Sequence, residues 1–124
     1  MIFGSVFRRF GLVFGFVLGT LTLSPIGNAE AAELVMFESA GCEWCEAWNA
    51  EIGVVYDKTS EAKIVPLRRV DIDGDRPADL INLNGLMYTP TFVIINDGHE
   101  VGRIIGYPGE DFFWQLLNEI IEKI

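Results

Sequence analysis

The chain has 124 residues, half of them hydrophobic, with 18 acids against 9 bases and a net charge of −9. That length allows one domain at most. The acid excess excludes a nucleic-acid binder, whose affinity rests on Lys and Arg at phosphates, and argues against docking on an anionic membrane.

Residues 1–9 carry only Arg8 and Arg9 as charges, and an uncharged run follows from Phe10 to Leu23. Ser24, Pro25 and small residues through Ala29, Ala31 and Ala32 come next. A basic start, a short apolar centre and a small-residue exit describe a secretory signal peptide. An uncleaved anchor and a buried core helix are the weaker alternatives. The centre is shorter than the about 20 residues of a bilayer span, and Gly11, Gly15 and Gly19 weaken it as a helix. Cleavage is expected after Ala29, with a second small-x-small site after Ala31, leaving residues 30–124 as the folded domain. Arg8-Arg9 matches a twin-arginine signal only in part, so general secretion is the expected route. Removing residues 1–29 takes two arginines and no acids, leaving seven bases against 18 acids, a net charge near −11. Such a surface is either simply solvated or steers the protein toward a basic partner.

Glu33 to Glu38 is a short apolar run that reads as a buried strand. Ser39-Ala40-Gly41 breaks it, and from Cys42 the pattern turns helical, with Trp44 and Trp48 four apart, until Gly53. Val54 to Ala62 is ambiguous, with Thr59 or Ser60 able to cap a short helical turn. Val65 to Ile72 is strand-like, with Pro66 near its start. Asp71 to Asp75 is a turn. Pro77 suits a first helical residue, and Ala78 to Leu83 reads as a short helix ended by Asn84-Gly85. Thr91 to Ile95 is the clearest strand. Asn96-Asp97-Gly98-His99 signals a hairpin, and Glu100 to Ile105 returns. Pro108-Gly109-Glu110-Asp111 opens a last helix, acids first as the dipole favours. Its apolar positions Phe113, Leu117, Ile120 and Ile124, with Phe112 and Leu116 beside them, have helical spacing. The order β-α-β-α-β-β-α implies an α/β fold. A parallel pair with a right-handed crossover and an antiparallel hairpin make a four-stranded mixed sheet flanked by helices.

The chain has two cysteines, Cys42 and Cys45. In an exported protein such a pair could be a structural staple, but a bridge across two residues closes a very small loop and restrains the unfolded chain little. Two cysteines one turn apart at a helix start suit disulfide exchange. The first is a thiolate favoured by free amide N–H groups, and the second lies close enough to resolve a mixed disulfide. Cys42 is therefore the expected exposed nucleophile and Cys45 the buried resolving thiol. A structural zinc site needs four ligands, and the other soft ligand is His99, expected in a solvent-exposed turn. Covalent haem attachment needs His where Glu46 stands. Glu38, Glu43 and Glu46 are expected to disfavour the thiolate, which lowers the reduction potential and favours a reductant. The alternative is that these acids point into solvent. Trp48 has core spacing, whereas Trp44, between the cysteines, is expected to be exposed and to touch partners. Arg68 and Arg69 flank a strand, so one faces the dithiol layer and the other faces away.

These residues resemble the thioredoxin superfamily. Cys42-Glu43-Trp44-Cys45 matches its CxxC site, and Gly85-Leu86-Met87-Tyr88-Thr89-Pro90-Thr91-Phe92-Val93 is similar to its second signature. Asn96-Asp97-Gly98 fits its hairpin and Gly106 the glycine after its last strand. The match covers about residues 33–124 and implies a minimal thioredoxin fold. It further implies that the Thr89–Pro90 bond is cis and faces the dithiol, and that the Thr89 backbone pairs with an extended partner segment, so Trp44, Thr89 and Pro90 are the implied partner-binding residues. Once residues 1–29 are removed, the mature chain is expected to lack room for the extra strand and helix of thioredoxins. Met36 stands where thioredoxins bury an aspartate, with Glu38 a possible substitute in deprotonating Cys45. The pair Glu43-Trp44 is neither Gly-Pro nor Pro-Tyr.

The longer pattern is narrower. Met36-Phe37-Glu38, Trp48 to Gly53, Pro66 to Asp71 and Gly102 to Tyr107 resemble the small periplasmic thioredoxin-like proteins of bacterial sulfur-oxidation systems, the SoxS type. That resemblance implies a monomeric periplasmic dithiol reductant without cofactor or metal. Its partner is a disulfide- or persulfide-bearing periplasmic protein, with a sulfur carrier as one candidate, and a membrane electron-transfer protein recharges it. The alternatives are a general disulfide oxidase or isomerase, a non-catalytic binding module, and glutathione chemistry using Arg68, Arg69 and Arg103.

Overall fold

The computed structural model of the chain describes residues 31–124. The leader read from residues 1–29 lies outside them. Strand β1 (Glu33–Glu38) leads into helix α1 (Glu43–Trp48), which a π-helical turn continues over Asn49–Gly53. A 3₁₀ turn at Tyr56–Lys58 and helix α2 (Ser60–Ile64) precede β2 (Leu67–Asp71). Strands β3 (Thr91–Asn96) and β4 (His99–Ile105) form the hairpin, and α3 (Glu110–Ile121) closes the order. The sheet order is β2-β1-β3-β4. β1 and β2 run parallel, and the other two pairs are antiparallel.

The two central strands are the two continuous apolar runs. Leu34 to Phe37 and Thr91 to Ile95 are buried on both faces, as strands covered on both sides must be. The edge strands carry Arg68, Arg69, Glu100 and Arg103, charges that protect an open edge. On one face α1 and α3 cover Leu34, Met36, Phe92 and Ile94 with Trp48, Phe113 and Leu117. Trp48, Phe92 and Phe113 interlock there, with Trp48–Phe92 centroids 5.2 Å apart and Phe92–Phe113 4.9 Å apart edge to face, geometries aromatic pairs prefer.

The other face differs from the sequence expectation. The helix expected over Ala78–Leu83 is only a 3₁₀ turn, Ala78–Leu80. Leu80, helped by Ile72, Leu83 and Leu86, covers Val35, Phe37, Val70, Val93 and Ile95. Asp73-Gly74-Asp75 before this stretch and Asn82, Asn84 and Gly85 at its end favour turns over helix, and three arginines hold the segment instead. Arg68 grips both oxygens of Asp79 at 2.7 and 3.1 Å and reaches Glu33, and this contact draws the Asp79 carboxyl below its ordinary value. Arg76 donates to the Leu83 carbonyl at 2.8 Å from above the Phe37 ring. Arg103 donates to the Asn84 carbonyl at 2.9 Å. The last helix also ends earlier than its pattern: Phe113, Leu117 and Ile120 are buried, but Phe112 and Ile124 are exposed.

Candidate active site

Strand β1 delivers the chain to one end of the sheet, where Ser39-Ala40-Gly41 turns it. Gly41 adopts φ +69° there, a left-handed value glycine takes without cost. Cys42 follows as the N-cap of α1, with extended φ and ψ. Its Sγ accepts the Cys45 backbone N–H at 3.1 Å, so the sulfur does the work of a capping oxygen. Cys42 and Cys45 are joined by a disulfide across a Cα–Cα distance of 5.2 Å. The two sulfurs are not equivalent: Cys42 is half-buried, and Cys45 is 3% exposed. Trp44, between them, is 63% exposed, whereas Trp48 is wholly in the core.

The segment leading into β3 stands opposite. The Thr89–Pro90 peptide is cis. Pro90 is buried and Thr89 half-buried, behind exposed Met87 and Tyr88. Thr91 Oγ1 donates to the Tyr88 carbonyl at 2.6 Å, and the Gly106 N–H donates to the Pro90 carbonyl at 2.7 Å. The Ser39 and Thr89 hydroxyls are hydrogen-bonded at 2.9 Å. Cys42, Cys45, Thr89 and Pro90 thus share one end of the sheet, with Trp44 exposed on the same turn as the dithiol. Ser39 is a residue sequence reasoning missed. The sequence carries no signal for it beyond its place at the end of β1, because strand register sets it opposite Thr89.

The charges around the site are fewer than the sequence implied. Glu38 is ion-paired with Arg69 at 2.5 Å, so its charge is largely offset. Arg69 also donates to Asn49 at 2.7 Å and lies over the Trp48 ring at 5.6 Å. It is therefore Arg69 that faces the dithiol layer, and Arg68 that faces away. Glu43 and Glu46 are exposed in the first turn of α1, where water screens them. Met36 is fully buried, with its sulfur 3.6 Å from the Arg69 guanidinium. Arg68, Arg69 and Arg103 each hold a carboxylate of the chain itself. Two tyrosines of the same core cluster as Cys45 are perturbed. Burial pushes the Tyr56 hydroxyl far above its usual range, with Glu61 and Asp57 adding to it. Burial and then the Glu51 carboxylate, which accepts its hydrogen bond, do the same to Tyr107.

Residues 25–121 match the thioredoxin-like domain family. The chain belongs to the thioredoxin superfamily. It is similar to the crystal structure of the periplasmic thioredoxin SoxS from Paracoccus pantotrophus in its reduced form, at 40% identity and a TM-score of 0.70. That match covers 74% of this chain and 97% of the other, and it assigns this superfamily member to the SoxS type. A thioredoxin of Chlamydia caviae is 31% identical over 77 residues, 62% of this chain and 74% of that protein. The X-ray structure of Fasciola hepatica thioredoxin is 26% identical with a TM-score of 0.56, over 72% of this chain and 80% of that one. The sheet order and its helices are those of the minimal thioredoxin fold. With a CxxC pair in that fold, the chain is a thiol–disulfide oxidoreductase, an enzyme that acts on disulfide-bearing protein partners.

Proposed function

We propose that the protein is a periplasmic dithiol reductant of partner disulfides or persulfides, with Cys42 as nucleophile and Cys45 as resolving thiol. The observation that carries the assignment of these two roles is the asymmetry of the pair. Cys42 sits at the helix entrance with a backbone N–H on its sulfur, and Cys45 lies one turn deeper, almost wholly buried. An amide donor at a sulfur favours its thiolate. In the reduced protein the Cys42 thiolate attacks one sulfur of the partner disulfide, and the other leaves as a thiolate. Cys45, having lost its proton, attacks Cys42 Sγ, expels the second partner sulfur and closes the Cys42–Cys45 disulfide. Two electrons pass to the partner, whose thiolates take up two protons. On a persulfide the same two attacks leave a partner thiol and release the outer sulfur as sulfide. A membrane electron-transfer protein returns two electrons to the oxidised form.

Export through a signal peptide over residues 1–29, with residues 30–124 as the mature domain, accounts for the basic-apolar-small pattern of the leader. The likeness to the periplasmic SoxS of Paracoccus pantotrophus supports the same compartment and a role in sulfur oxidation with a sulfur carrier among the partners. Trp44, exposed beside the dithiol, and the Thr89–Pro90 wall are the partner-binding residues of this reading. A Cys45→Ser protein expressed in the periplasm tests it. It should hold partners as mixed disulfides through Cys42, a sulfur carrier among them, and the captures should vanish in Cys42→Ser/Cys45→Ser. A broad catch of unrelated secreted proteins, together with a reduction potential near the about −120 mV of strong periplasmic oxidants, would replace the reductant by a general oxidase.

A further inference from the structure

We propose that Ser39 is a positioning residue that sets the Thr89 wall against the dithiol for extended peptide partners. The inference rests on the reading of Cys42–Cys45 as the redox pair and of Thr89 as its partner-binding wall.

The β1–β3 ladder pairs Glu33 with Ile95 and continues one for one to Phe37 with Thr91. Carried two residues further, the same register sets Ser39 opposite Thr89. The backbone ladder cannot extend there, because Pro90 has no N–H to give. What joins the two chains at that point is the Ser39–Thr89 hydroxyl bond of 2.9 Å, a cross-strand polar pair of the kind that steadies a sheet. Two residues, Ala40 and Gly41, separate Ser39 from Cys42, so this one bond links the turn carrying the nucleophile to the wall across the site.

The bond also settles how Thr89 is presented. The neighbouring carbonyls of Tyr88 and Pro90 are occupied by Thr91 Oγ1 and the Gly106 N–H. Among the described residues, neither the N–H nor the C=O of Thr89 is paired with another main-chain group. A threonine hydroxyl left alone competes for nearby backbone groups. With Ser39 holding that hydroxyl, the Thr89 backbone stays available to an extended segment that adds on as a strand does. A disulfide with no peptide around it has no use for this wall.

The test compares two substrates of the reduced protein: a pair of extended peptides joined by one disulfide, and bis(hydroxyethyl) disulfide. Ser39→Ala should lower kcat/KM for the peptide relative to the small disulfide by about five-fold, the worth of one net hydrogen bond, with the loss in KM. Ser39→Thr should restore the ratio. In a Thr89→Val background, Ser39→Ala should change it little, since the partner of the bond is already gone. An unchanged ratio, or equal losses on both substrates, overturns the inference while leaving the dithiol reading intact. Failure of the parent protein to reduce the small disulfide in a Cys42-dependent way overturns the dithiol reading and the inference with it.

Discussion

Cys42 and Tyr56 show how differently two side chains that hydrogen-bond the backbone are held in this small chain. Cys42 keeps its sulfur at the surface end of a helix, accepting an amide N–H. Tyr56 sinks its ring beside Trp48 and Trp114 and donates its hydroxyl to the Val65 carbonyl at 2.6 Å. Removal from water, then the nearby Glu61 and Asp57, raise its pKa far above the usual value. The folded chain therefore binds this proton more tightly than the unfolded chain, whose phenol releases it near pH 10. The stability linked to it is fully present below about pH 10 and is lost as the pH rises toward the folded value. Tyr56→Phe removes both the hydrogen bond and this alkaline loss. The substitution should cost about 1–2 kcal/mol at neutral pH, and the deficit should shrink at about pH 11. Tyr107 shifts in the same direction in both proteins and cancels in the difference. Urea unfolding at the two pH values measures it, and a deficit that grows with pH contradicts the assignment.

Among the elements, the contact of β4 with α3 is the tightest that a glycine controls. A Cβ on Gly102 would lie 3.0 Å from both Cγ1 and Cγ2 of Ile120. Those carbons belong to the buried stripe of α3 and cannot swing away without lifting the helix off the sheet residues Phe92 and Ile104. Gly102→Val should destabilise the fold by about 1–3 kcal/mol, the usual cost of overpacking a full core, seen as a lower Tm in thermal unfolding. An unchanged Tm would mean that α3 slides freely on the sheet. Helix α1 shows the opposite economy. Its six residues, Glu43–Trp48, are too few to be stable alone, and packing of Trp48 and Cys45 into the core holds it where the dithiol needs it.

For the whole molecule, the two faces of the sheet are built by different physics. One is a helix-covered aromatic core. The other is an irregular segment over residues 72–90 held by Leu80 and by arginines at Asp79, Leu83 and Asn84. Exposed ion pairs contribute little each, about 0–1 kcal/mol, and few apolar groups of this segment are buried. Native-state hydrogen exchange should therefore find amides of residues 72–88 opening at lower free energy than those of β1 and β3. Equal protection across both would contradict this division. The segment ends in Thr89–Pro90, so the wall of the site is the end of the more loosely held layer, and the Ser39 bond acts at its junction with the rigid one.

Much of this was open to reading along the chain because it depends on neighbours in sequence. Two cysteines at i and i+3, a turn before them and a helical pattern after them specify a dithiol at a helix entrance locally. Two unbroken apolar runs specify the central strands, since only strands covered on both faces read that way. Asn96-Asp97-Gly98 specifies the hairpin, and Asp97 and Gly98 do take φ +51° and +73°. What only the tertiary structure decided concerns groups brought together from far apart. Which of Arg68 and Arg69 faces the dithiol depends on strand register. Whether Glu38 weighs on the thiolate depends on Arg69 lying beside it across the β1–β2 pair. Whether Ala78–Leu83 is helical depends on Arg68 holding Asp79 against the sheet, and Ser39 meets Thr89 only because the β1–β3 register puts them opposite. A window of sequence carries periodicity and turn chemistry, but register and charge pairing across a sheet are set by packing the whole chain at once.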